Sequence, residues 1–245
     1  MTNALSSLRP HPVVAAVSIS TAAAVFVTAS LSTETWGSPD QVKSNGLLWR
    51  FNVATGLVAL ALLVITLSIG PLLTLSGNER RRRVHHPWRR ATGVWSAVFA
   101  LAHLPGGLAI HSSGWAIWEP FASVFPGIAA RRFDEFTIGY WAGAAALIAM
   151  IVLAGTSNRQ SLSRMGAYRW KRLHRMSYVA YAFVAVHVVA LQFGESRAAV
   201  WVLLTAGVFA PVLPLRLLRR FNNRHRPDAG TPIASVQAPT LHDLR

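Results

Sequence analysis

Residues 170–193 read WKRLHRMSYVAYAFVAVHVVALQF and residues 90–107 read RATGVWSAVFALAHLPGG. Each run carries one histidine deep among apolar residues, His187 in the first and His103 in the second, and the first run opens on another, His174. The apolar residues fall in blocks rather than at amphipathic spacing, which suits helices surrounded by hydrocarbon. An imidazole at such depth is costly against lipid, so it is expected to face the interior of a helical bundle.

Four more blocks of the same kind complete the chain. Of its 245 residues 52% are apolar, and the mean hydropathy is positive. A bilayer core needs about 20 apolar residues per helix, and the blocks 12–33, 47–75, 91–111, 137–155, 173–193 and 199–218 meet that length. The expected fold is therefore all-α: a polytopic membrane protein with one six-helix transmembrane domain over 12–220. Residues 1–11 form a short cytoplasmic N-terminus. The polar tail 221–245 is too short to bury a core and is expected to be disordered. The first block exceeds the roughly 7–15 apolar residues of a signal peptide and is read as a true span. The outer loop 112–136, rich in Trp, Phe, Pro and Gly, suits a segment at the membrane interface.

Orientation follows from the cations. Arg9, the 77–90 loop, the 156–175 segment and the tail from 216 hold nineteen of the 24 Lys and Arg residues. Lys43, Arg50, Arg131, Arg132 and Arg197 lie on the other side. The positive-inside rule then places both termini in the cytoplasm. The net charge of +15 is accounted for by this topology and by contact with anionic membrane lipid, not by nucleic-acid binding. With no cysteine in the chain, thiolate catalysis, Cys-ligated iron–sulfur clusters and covalent c-type haem are excluded. No P-loop, dinucleotide fingerprint, H-E-x-x-H motif or internal repeat is present.

Helical rise sets the depth of the histidines. Counted from the cytoplasmic ends of their blocks, His103 lies roughly 18 Å in and His187 about 21 Å in. One buried histidine alone is best read as a polar residue satisfied by a neighbouring helix. Two at matched depth on separate helices suit the axial ligation of a single haem. His174 lies about 20 Å below His187, and thirteen residues of regular helix would turn the two side chains some 140° apart; they share a face only if the helix is irregular. Opposite His174 on the third block stand Arg89 and Arg90, whose cations suit a haem propionate, a flavin phosphate or a quinone headgroup. His85 and His86 are the imidazoles near that end, as interfacial loop residues or as a partner for His174 on a second haem. Arg50 either snorkels to the outer interface or pairs with a propionate near His103 and His187. His111 is a further outer candidate, beyond a helix that Pro105, Gly106 and Gly107 are expected to disturb.

The segments GLVALALLVITLSIGPL (56–72), RRATGVWSAVFALAH (89–103), FTIGYWAGAAALIAMIVLAGTS (136–157) and WKRLHRMSYVAYAFVAVH (170–187) resemble the ferric reductase-like transmembrane family. That family takes in ferric reductases, NADPH oxidases and the haem-bearing subunit of the periplasmic methionine sulfoxide reductase system, and the Trp170, His174, Tyr178, His187 series is most similar to the last. The resemblance implies a haem b protein of the bacterial cytoplasmic (inner) membrane, passing electrons from a quinone or a cytoplasmic flavin reductase to an outer-face redox partner protein or ferric chelate. It implies His103 and His187 as outer haem ligands and His174 as an inner ligand or cofactor contact. The chain departs from the oxidase pattern at Arg89 and Arg90, where those enzymes carry a fourth histidine, and it lacks their flavin and nicotinamide domain. The alternative function is a non-redox transporter or scaffold whose histidines are structural or relay protons.

Overall fold

The computed structural model describes residues 10–31, 39–75, 79–111, 135–194 and 199–224, and among them every regular element is helical. In chain order these are α1 (Pro10–Leu31), α2 (Pro39–Leu75), α3 (Glu79–His111), α4 (Glu135–Gly155), α5 (Arg159–His174), α6 (Met176–Gly194), α7 (Ala199–Phe209) and α8 (Val212–Arg224). Five segments are long and apolar enough to cross a membrane: Pro10–Thr28, Gly46–Leu73, Pro87–Ile110, Glu135–Gly155 and Arg159–Gly194. Large apolar side chains such as Ile148, Phe193 and Leu203 point outward, as they do when the surrounding solvent is hydrocarbon. The expected segment at 112–134 and the tail 225–245 lie outside the described residues, as do the side chains of His85, His86 and His111.

Two antiparallel pairs build the bundle, α2 with α3 and α4 with α6. Small and hydroxylated residues let the first pair close. Thr66 donates to the Thr92 hydroxyl at 2.8 Å, and Ser96 donates to the Ala59 carbonyl at 2.7 Å. Such interhelical hydrogen bonds serve where water is absent. Leu67, Ala91, Ser96 and Ala180 have no exposed surface, so the helices are closely packed at these positions.

Three details differ from the sequence expectation. The sixth block is not one helix, because α7 stops at Phe209 and α8 starts at Val212. Pro211 lacks an N–H and its ring crowds the carbonyl four residues back, which breaks the ladder. Three contacts fasten the broken span along α6. Gln192 donates to the Thr205 hydroxyl at 2.6 Å, the Tyr181 hydroxyl donates to the Phe209 carbonyl at 2.9 Å, and the Arg216 guanidinium sits 3.2 Å above the Tyr178 ring. The 156–175 segment is also helical: Asn158 caps α5 by accepting from the Ser161 N–H. Gly166 interrupts that helix at φ 74°, a left-handed conformation open to glycine. Finally, α3 runs through Pro105 to His111 without a break.

Candidate cofactor site

Between the two helix pairs lies an open-sided cavity of about 200 Å³, which α7 borders through Thr205. Its walls are largely aliphatic, with Leu60, Leu63, Leu147 and Val184 among them. Its polar lining gathers toward one end, the outer end in the expected topology, at Asn52, His103, His187, Gln192 and Thr205.

His103 from α3 and His187 from α6 meet there, with ring centroids 6.2 Å apart and planes at 89°. Metal–imidazole bonds are about 2 Å long, so two such bonds end to end, plus the distance from each nitrogen to its ring centre, span roughly 6 Å. Both rings are oriented by the main chain. His103 Nδ1 lies 2.9 Å from the Asn52 carbonyl and His187 Nδ1 lies 2.8 Å from the Gly139 carbonyl. A carbonyl only accepts, so each Nδ1 carries the proton and each Nε2 carries the lone pair that a metal takes.

Glycines make this arrangement possible. A Cβ on Gly56 of α2 would stand 3.0 Å from the His103 ring, and a Cβ on Gly143 of α4 would stand 2.6 Å from His187 Nδ1. Each imidazole therefore lies close against the backbone of the facing helix. The donor set also fits a haem. No cluster of three His, Asp or Glu side chains occurs among the described residues, so a bare ion would be short of ligands. A porphyrin brings four nitrogens of its own and asks only for two axial ligands.

The inner end is built differently. His174 stacks on Trp170 with centroids 3.7 Å apart, its Nδ1 lies 3.1 Å from the Trp170 carbonyl, and its Nε2 lies 3.2 Å from the Ser157 hydroxyl. Trp170 is itself pinned by donating to the Thr156 carbonyl at 3.0 Å. The α5–α6 break at Arg175 supplies the irregularity that a shared face with His187 would need, yet His174 is turned to the α4–α5 corner and does not line the cavity. Arg89 is half-buried, borders Gly70 of α2 and stands close enough to act electrostatically on His174, whereas Arg90 is exposed. At the same end the Arg50 Nε is buried with no hydrogen-bond partner among the described residues, but Arg50 is not among the residues lining the cavity. The structure thus unites His103 with His187 and leaves His174 with Arg89 at the other end. Asn52, Gly56, Gly139 and Gly143 are site residues that the sequence did not single out. Gly56, Gly139 and Gly143 left a trace there, as small residues inside apolar runs.

Known proteins place these helices in context. The family model described as ferric reductase like transmembrane component matches residues 55–185. The protein-methionine-sulfoxide reductase heme-binding subunit MsrQ of Ralstonia nicotianae is 32% identical over 181 residues, 74% of this chain and 76% of that one. Its Brucella anthropi counterpart is 29% identical over 178 residues, 72% of this chain and 71% of that one. The magnetosome protein MamZ of Magnetospirillum gryphiswaldense is 31% identical over 131 residues, which are 54% of this chain but 18% of that longer protein. No solved structure matches. The family match takes in α3, α4 and α5, most of α2 and the first half of α6, and so covers most of the cavity wall; this multi-pass membrane chain belongs to the ferric reductase-like transmembrane family.

Proposed function

We propose that this chain is a haem b protein of a bacterial cytoplasmic membrane, carrying electrons from a cytoplasmic-side or quinone donor to an acceptor at the outer face. The pairing of His103 and His187 across the cavity, each Nδ1 held by a carbonyl of the opposing helix, carries this assignment. His103 and His187 would hold the haem iron, and the carbonyls of Asn52 and Gly139 would raise their donor strength and fix the rotation of their rings. When bound, a haem supplies a one-electron carrier in a low-dielectric setting. The aliphatic walls keep water from the ligands.

At the inner end Arg89 and His174 receive the donor. Arg89, with Arg90 at the surface, meets a flavin phosphate or a quinone oxygen, and His174 exchanges the proton that accompanies an electron. Both termini lie in the cytoplasm, as the excess of cations on that side supports. The two MsrQ relatives are named as heme-binding subunits of a protein-methionine-sulfoxide reductase, which favours a redox protein over a ferric chelate as the outer partner.

Purification in mild detergent tests the assignment. A pyridine haemochrome with at least one haem per chain, reducible to a b-type spectrum, is expected. A protein that stays colourless after haem is added would point instead to a transporter or scaffold with structural histidines.

A further inference from the structure

The two turns that hold the imidazoles share one pattern and differ at one telling position. On α2 the turn reads Asn52, Val53, Ala54, Thr55, Gly56, and on α4 it reads Gly139, Tyr140, Trp141, Ala142, Gly143. In each, the first carbonyl meets a histidine Nδ1, at 2.9 Å for His103 and 2.8 Å for His187, and the last residue is the glycine that lets the ring approach. Both turns lie inside continuous helix, so the same carbonyl also accepts the ladder bond from that glycine's N–H, four residues on.

The difference sits just before the glycine. Thr55 is 3% exposed, and its hydroxyl proton is shared between the Phe51 carbonyl at 2.8 Å and the Asn52 carbonyl at 3.1 Å. Ala142, in the matching place on α4, is buried as well but carries no donor. A carbonyl oxygen has two lone pairs. Among the described residues the Gly139 carbonyl serves two donors with them, the Gly143 N–H and His187, whereas the Asn52 carbonyl serves three. Every hydrogen bond draws electron density from the oxygen, so the third donor weakens its hold on the other two. The contact to Thr55 is longer than the contact to His103, and it therefore dilutes that bond without replacing it.

A metal-bound imidazole gains basicity from the acceptor on its other nitrogen. A stronger hydrogen bond gives the ring more imidazolate character, which favours ferric iron, and such bonds are one of the protein's levers on a haem potential. Resting on the haem assignment above, we propose that Thr55 is a positioning residue that makes the two axial ligands unequal. By sharing the Asn52 carbonyl it leaves His103 the weaker donor of the pair, and the haem is easier to reduce than it would be between two equally held imidazoles.

The test is the midpoint potential of the full-length protein loaded with protohaem, by anaerobic titration with redox dyes, in wild type, Thr55→Val, Thr55→Ser and Ala142→Ser. Thr55→Val keeps the shape and removes the donor; its haem should shift about threefold toward the ferric form, roughly 28 mV downward at 59 mV per decade for one electron. Thr55→Ser retains the hydroxyl and should match wild type. Ala142→Ser offers the Gly139 carbonyl a third donor and should move the potential upward by a similar amount. A Thr55→Val potential at or above the wild-type value, or a Thr55→Ser potential that falls with it, would overturn the inference and leave the haem assignment standing. If the valine variant takes up no haem, Ala142→Ser decides, and a potential that does not rise there overturns the inference. Wild-type protein that binds no haem would overturn the haem assignment and the inference together.

Discussion

In the outer half of the bundle Gly56 and Gly143 stand opposite His103 and His187, and the space they leave is open. In the inner half Thr66 is bonded to Thr92, Leu67 and Ala91 are fully buried, and His174 is stacked on its own helix against Trp170. The same helices pass through both halves. What separates them is the residue each histidine meets: a glycine on a neighbouring helix lets an imidazole lie across the gap, whereas a tryptophan four residues away holds it beside its own backbone. A histidine's depth thus matters less than whether the facing helix lacks a Cβ.

Removing a ligand breaks this contrast most directly. His103→Ala and His187→Ala should each abolish haem binding, read as loss of the low-spin spectrum; either variant retaining full low-spin haem would remove the distinction between the halves. The glycines come next. Gly143→Ala places a Cβ within 2.6 Å of His187 Nδ1, and Gly56→Ala places one 3.0 Å from the His103 ring. Haem content should fall severalfold in the first and less in the second, while Gly155→Ala, with nothing within 4 Å, should match wild type.

At the inner end His174→Ala should leave the outer haem bound and slow its reduction by the donor, measured by stopped-flow on membranes. Two haems per chain, with one lost in both His174→Ala and His86→Ala, would make the halves alike after all. The smallest effect is expected from Ser96→Ala, which removes the hydrogen bond to the Ala59 carbonyl in the packed region. A loss of about 1 kcal/mol in unfolding free energy is expected there, with haem content unchanged.

Much of this was legible in the residues. Block length carried the helices, and rise per residue brought His103 and His187 to one level before any packing was known. The facing glycines and Asn52 were not legible, because helices apolar on all sides carry no stripe to show which side meets a neighbour. Rotation about each axis is settled by close packing, such as Ser96 on Ala59 and Gly93 against Thr66. His174 was half legible. Its spacing from His187 demanded an irregular helix, and the break at Arg175 is there, but the stack on Trp170 needs the corner that α4 and α5 form.

The divided last span has a consequence for biogenesis. At eleven residues, α7 rises about 16 Å, roughly half the hydrocarbon thickness, and Pro211 prevents it from borrowing length from α8 as a straight rod. Such a segment partitions poorly by itself. Gln192 and Tyr181 supply its polar partners, while Tyr178 meets Arg216 of α8, and all three belong to α6. The expected consequence is that α6 and α7 enter the bilayer together as one helical hairpin, which would deliver the helix carrying His187 with the segment that borders the cavity beside it.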